Sequence, residues 1–195
     1  MPIQDLATET YRLGKARWHN LFFALYPDPP TAERACRLAE DLRRRHGLIG
    51  QPTSPERLHV SLNSLGVHTA WPDQMIARAS EAVVKLRVRP FVIAFNQVAS
   101  YVNPRGLRAL VLRGDEGLIG AFALHEAIHG VLRDAGILRR NARAIDPHLT
   151  LLRDPSQLPP TPIAPVRLTV REVVLTHSPY GEGRHVRLQA WPLIG

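Results

Sequence analysis

The sequence predicts an α+β fold of two similar halves, and two observations carry that prediction. Strand-like and helix-like segments alternate irregularly along the chain, and one tetrad pattern occurs twice. His59-Val60-Ser61-Leu62 and His148-Leu149-Thr150-Leu151 each consist of a histidine, an aliphatic residue, a hydroxyl residue and a leucine. Each has the period-two alternation of a β-strand. The expected architecture is two-lobed and pseudo-duplicated, with a cleft between the lobes.

The elements follow in order. Leu21 to Leu25 is apolar throughout and stops before Pro27, Pro29 and Pro30, as a buried strand does. Thr31 is placed to cap a helix through about Arg45, with Ala35, Leu38, Ala39 and Leu42 on its inner face. The first tetrad strand runs from about Leu58 to Leu65 and ends at Gly66. A second helix spans Asp73 to Leu86, burying Ile76, Ala79, Val83 and Leu86. Phe91 to Val98 and Leu107 to Leu112 form a strand pair around an Asn103-Pro104-Arg105-Gly106 turn. A third helix covers Glu116 to Ala135 and closes at Gly136. The second tetrad strand runs from Pro147 to Arg153. The proline-rich stretch from Pro155 to Pro165 is a loop by composition. Val166 to His177 and His185 to Trp191 are the last two strands.

Composition bounds the function. The chain has 195 residues, 45% of them hydrophobic, which suits one ordinary domain with a real core. Residues 1–16 read as a flexible extension and residues 17–195 as a single bilobal domain. A single cysteine, Cys36, excludes an internal disulfide framework and a four-cysteine zinc site. A reducing, cytoplasmic setting fits that usage. No apolar run approaches the length of a membrane span, and the N-terminus lacks a signal-peptide core. Net charge is +8, carried almost wholly by arginine, whose planar fork suits phosphate. An anionic partner such as RNA is expected, with Arg139, Arg140 and Arg143 as a basic rim ahead of the second tetrad.

The tetrads carry the chemistry. Residues two apart on a strand share a face, about 7 Å apart. His59 and Ser61 therefore face one way and Val60 and Leu62 the other; His148 and Thr150 repeat this against Leu149 and Leu151. Two such strands facing each other would present two imidazoles and two hydroxyls to one small anion. Imidazole titrates near neutral pH, so such a pair suits acid–base chemistry on a phosphate. Arg153 has the parity of Leu149 and Leu151 unless a bulge re-aims it, and its position at the strand end also leaves it within reach of the groove; Ser178 and Tyr180 are weaker candidates. A competing motif is His125-Glu126-Ala127-Ile128-His129, the H-E-x-x-H pattern of zinc peptidases, on a predicted helix. It lacks an evident third ligand, and boundary histidines on an amphipathic helix account for it.

With its flanks, the repeat resembles the two-histidine phosphoesterase superfamily, and within it the RNA 2′,3′-cyclic phosphodiesterases, also called 2′-5′ RNA ligases. Four segments carry the resemblance: Leu21 to Leu25 followed by proline, Pro55 to Leu62 with Leu65-Gly66, Asp146 to Arg153, and Val174 to Ser178. Ser61 stands where threonine is commoner, and Asn63-Ser64 where apolar residues are usual. The resemblance implies antiparallel sheets lining a central groove with helices on the outside, and metal-independent opening of terminal 2′,3′-cyclic phosphates on RNA to 2′-phosphates, by a monomer without cofactor. The ligation direction runs the same chemistry in reverse. It implies that His148 is the base and His59 the acid, with Ser61, Thr150 and Arg153 on the phosphate. A non-catalytic RNA-end binder keeping the same groove is the alternative.

Overall fold

The computed structural model describes residues 18–102, 108–138 and 144–195. The N-terminal extension, the Asn103-Pro104-Arg105-Gly106 turn and the Arg139, Arg140 and Arg143 rim lie outside the described residues.

Eight strands form a single sheet in the order β6-β3-β4-β5-β2-β1-β7-β8, antiparallel throughout. The strands are β1 (His19–Leu25), β2 (Val60–His68), β3 (Phe91–Val102), β4 (Arg108–Arg113), β5 (Leu149–Leu152), β6 (Thr161–Val170), β7 (Glu172–Pro179) and β8 (Val186–Pro192). Three α-helices lie among the described residues: α1 (Pro29–His46), α2 (Asp73–Val83) and α3 (Ile119–Asp134). The fold is α+β, and the two expected lobes are two four-stranded halves of one ladder. They meet at β2 and β5 through one residue pair, Val60 opposite Leu149. Beyond it the edge of β5 is taken by Pro52, bridged to Leu152, and by the Thr53 amide, which donates to the Leu151 carbonyl at 2.7 Å. Each half therefore brings a tetrad strand to the seam.

The sheet has two distinct faces. Leu21, Phe23, Leu25, Val60, Leu62, Leu149 and Leu151 point to the helices, where Ala35 and Ala39 of α1, Ala79 of α2 and Leu124 and Ile128 of α3 complete one core. Gly120 lets α3 approach: a Cβ there would lie 2.3 Å from the Phe91 ring. The opposite face is floored by Phe22, Ala24, Ala99, Val111 and Val174, buried but outside that core.

Four sequence expectations are corrected. α1 is capped by Asp28, whose Oδ1 accepts from the Thr31 amide at 2.8 Å; Pro29 and Pro30 occupy the first turn, where a missing N–H costs nothing. The proline-rich stretch is not all loop. Thr161 to Pro165 belongs to β6, an edge strand, and two extra residues in β6 opposite Phe95–Gln97 absorb Pro165. Val166 to His177 is two strands, not one. The chain breaks at Arg171 and passes from one end of the sheet to the other half, β6 pairing with β3 and β7 with β1 and β8. The third helix opens with a 3-10 turn, Glu116–Leu118, before α3 begins.

Candidate active site

The site lies at the seam, on the face away from the helices. Extending the Val60–Leu149 register by one residue each way sets His59 opposite Thr150 and Ser61 opposite His148. The histidines then stand as diagonal neighbours, a relation that sets residues about 7–8 Å apart with their Cβ atoms somewhat closer, a spacing that suits one tetrahedral anion between the rings. Val60 and Leu149, buried at 0% and 1% exposure, hold the pair in place from behind.

Both histidines are locked by the same device. His59 Nδ1 donates to the Arg57 carbonyl at 2.7 Å, and His148 Nδ1 donates to the Asp146 carbonyl at 2.6 Å. A carbonyl only accepts, so each Nδ1 carries a proton. Each Nε2 is thereby the nitrogen left for proton transfer. The local cause is the sequence: a residue two before each histidine turns its carbonyl back as the strand begins.

The surroundings of the two rings differ. His59 is packed by Phe22 at 5.4 Å, Tyr26 at 6.0 Å and His185 at 4.5 Å between ring centroids. This enclosure pushes its pKa down to about 4, against the opposing bond to the Arg57 carbonyl; His148, Arg57 and Arg153 add smaller like-charge effects. His148 stacks face to face on Tyr101, with centroids 4.7 Å apart at 27°.

Arg153 reaches the same face by a bulge. Val111 pairs with Thr150, and Leu110 with Leu152, so Leu151 is an extra residue in β5. Leu151 and Leu152 are consequently both buried, and Arg153 takes the parity of His148 and Thr150. Its charge bears on both His59 and His185. Asp154, next along, accepts from the Ile49, Gly50 and Ser156 amides at 2.7, 2.7 and 2.8 Å, which ties down the strand end.

Sequence reasoning missed the flanking groups. His185 and Arg187 share this face through β8, where Arg187 pairs with Thr176 and sits 3.9 Å over the Tyr26 ring. Tyr26 and Thr176 join hydroxyls at 3.1 Å. The i, i+2 spacing of His185 and Arg187 was the available signal. Ser178 lies opposite Asn20, four residues along β1 from the Ala24–Ser61 pair, and Tyr180 is exposed beyond the end of β7.

His125 and His129 are elsewhere. They are buried, not at a boundary, on the helix side of the sheet. They line a cavity of about 470 Å³ with Leu62 and Asn63. A β2 bulge turns Asn63 inward beside Leu62, and its amide donates to the His125 carbonyl at 3.2 Å. Their ring centroids are 6.4 Å apart. With zinc–nitrogen bonds of about 2.0–2.1 Å, two imidazoles on a tetrahedral ion would stand about 5 Å apart, centroid to centroid. Among the described residues no cluster of three or more His, Cys, Asp or Glu side chains is placed to hold a metal.

No family model matches the chain, and no curated protein matches it. Solved structures do. Escherichia coli LigT superposes with a TM-score of 0.70 over 92% of this chain and 100% of its own, at 22% identity. The chain has the LigT fold. The Thermus thermophilus protein TT0787 shares it, with a TM-score of 0.68 at 19% identity over 90% of this chain and 98% of its own. Kluyveromyces marxianus Usb1 is more distant, at 0.52 and 11% identity over 91% of this chain and 99% of its own. LigT has also been crystallised with 3′-AMP and with phosphate. The LigT fold matches the architecture that the sequence resemblance implied.

Proposed function

We propose that the chain is a two-histidine phosphoesterase that opens terminal 2′,3′-cyclic phosphates on RNA, leaving 2′-phosphates. The observation that carries this reading is the seam itself: two histidines, each fixed through Nδ1, offering Nε2 toward one anion-sized space beside two hydroxyls and an arginine. Ser61 and Thr150 hold the non-bridging oxygens, and Arg153 offsets their charge. One Nε2 removes a proton from water as its oxygen attacks phosphorus. The other gives a proton to the ribose 3′-oxygen as its bond to phosphorus breaks. Ligation to a 2′-5′ bond follows the same course rather than its reverse, with the 5′-hydroxyl of a second RNA end attacking phosphorus in place of water.

The environments favour a division of roles opposite to the one implied by the resemblance. His59, held neutral by burial, is the proton acceptor from water. His148, stacked on the Tyr101 ring, is then the donor to the ribose oxygen. The partner is an RNA end or a cyclic nucleotide, and the protein acts as a cytoplasmic monomer. No described helix is long and apolar enough to cross a membrane. The decisive experiment is incubation of the protein with RNA bearing a 2′,3′-cyclic phosphate, with a metal chelator present. Conversion to a 2′-phosphate end is expected. Binding without turnover would favour the RNA-end binder, and turnover restored only by added zinc would return attention to His125 and His129.

A further inference from the structure

A third histidine faces the same space. His185 lies just before β8, on the parity of Arg187, and its ring meets His59 edge-on, with centroids 4.5 Å apart at 80°. Phe22 packs against its other side at 5.7 Å and 79°. Its Nδ1 is enclosed and has no hydrogen-bond partner. A neutral imidazole carries one proton, and an N–H enclosed without an acceptor is costly. The proton therefore sits on Nε2, the nitrogen left for a ligand. The charges that act on this ring are Arg57, Arg153 and, when protonated, His59. All are positive, which is the surrounding an anion favours and a fourth cation does not. Burial and these charges together push the His185 pKa down to about 4, so at neutral pH it donates as a neutral group.

We propose that His185 is a substrate-contacting residue whose Nε2–H donates to a phosphate oxygen of the bound nucleotide, beside Ser61, Thr150 and Arg153. This rests on the phosphoesterase reading and adds a donor from β8, outside both tetrads. It gives the phosphate a contact with no counterpart among the described residues of the other half. The pseudo-duplicated tetrads thus receive an asymmetric third donor on the His59 side.

The test separates donation from packing. His185→Phe keeps an aromatic ring against His59 and Phe22 but cannot donate; His185→Gln keeps a donor without the ring. On a 2′,3′-cyclic nucleotide, His185→Phe should lower kcat/KM by roughly ten- to a hundredfold at unchanged melting temperature, chiefly through KM. His185→Gln should recover part of that loss. Sulfate affinity, measured by calorimetry, should fall in parallel. Wild-type turnover in His185→Phe with a defect in His185→Gln would assign the ring to packing and overturn the proposal. If the wild type shows no turnover, the phosphoesterase reading fails by itself. The sulfate titration then decides the His185 contact: equal affinity in wild type and His185→Phe refutes it.

Discussion

Binding an anion at the seam should return His59 to the physiological range. Burial holds it at about 4 in the free protein. With Arg153 offsetting one of the two charges of a bound sulfate, a net unit negative charge about 4 Å from the ring, at an effective dielectric of about 20, stabilises the imidazolium by about 4 kcal/mol. At about 1.36 kcal/mol per unit, that is a rise of about three units, to about 7. Sulfate is a suitable probe because its charge is constant from pH 4 to 9. Histidine ring resonances, assigned with His59→Ala, should show His59 titrating near 4 alone and near 7 with saturating sulfate. Linkage then requires sulfate to bind on the order of 10² more tightly at pH 5 than at pH 8. A free-protein value near the ordinary 6.5 would refute the burial argument. Sulfate that binds at these rings while moving the His59 titration by less than about half a unit would refute the shared-anion geometry.

Three further outcomes follow from the same structure. His59→Ala and His148→Ala should each reduce turnover of a cyclic nucleotide by roughly 10²- to 10⁴-fold, with the double variant well short of additive; on a nucleoside 3′-(p-nitrophenyl phosphate), whose leaving group needs no proton, His148→Ala alone should stay near wild type, and the reverse pattern would restore the roles implied by the resemblance. Arg153→Ala should raise KM about tenfold with little change in kcat, as loss of a charged phosphate contact does; an unchanged KM would return Arg153 to the solvated surface. His177, fully buried and bonded to His19 at 3.1 Å, is held at about 4, below its unfolded value of about 6.5, so the unfolded chain binds the extra proton between these values; stability should fall by up to about 3 kcal/mol as pH drops from about 6.5 to about 4, and urea unfolding of His177→Gln should show a shallower slope.

What the sequence revealed and what it hid have physical causes. The tetrads were legible because their strands alternate strictly and bury one face, which fixes both pairing and side-chain direction. The bulges were not legible. Nothing in Leu149-Thr150-Leu151-Leu152-Arg153 announces an extra residue, yet the bulge at Leu151 decides that Arg153 faces the site rather than the core. The break at Arg171 was hidden for a similar reason. Residues 166–177 are uniformly strand-like, with no glycine or proline at the point where the chain changes halves. Proline content concealed β6, because edge strands tolerate what central strands do not. His185 was concealed by the glycine-rich turn before it, which made the final strand look like framework.

The two halves supply equivalent positions, and their neighbours make those positions unequal. Each tetrad places a histidine at the start of its strand, fixes its tautomer through a carbonyl two residues earlier, and sets a hydroxyl opposite the other half's histidine. That much is symmetric, and symmetric histidines of equal pKa make a poor acid–base pair, because one must be charged while the other is neutral. The asymmetry comes from strands further out. On one side β1 and β8 bring Phe22, Tyr26 and His185 around His59, excluding water and disfavouring its charged form. On the other, β3 brings a single stacked ring, Tyr101, under His148. Exchanging these surroundings, rather than the tetrads, is what would exchange the roles. A Tyr101→Leu variant removes the stacked ring without changing either histidine. It should weaken proton donation to a ribose leaving group while sparing the p-nitrophenyl ester. Equal loss on both substrates would show that Tyr101 supports the site as a whole and that the division of roles has another source.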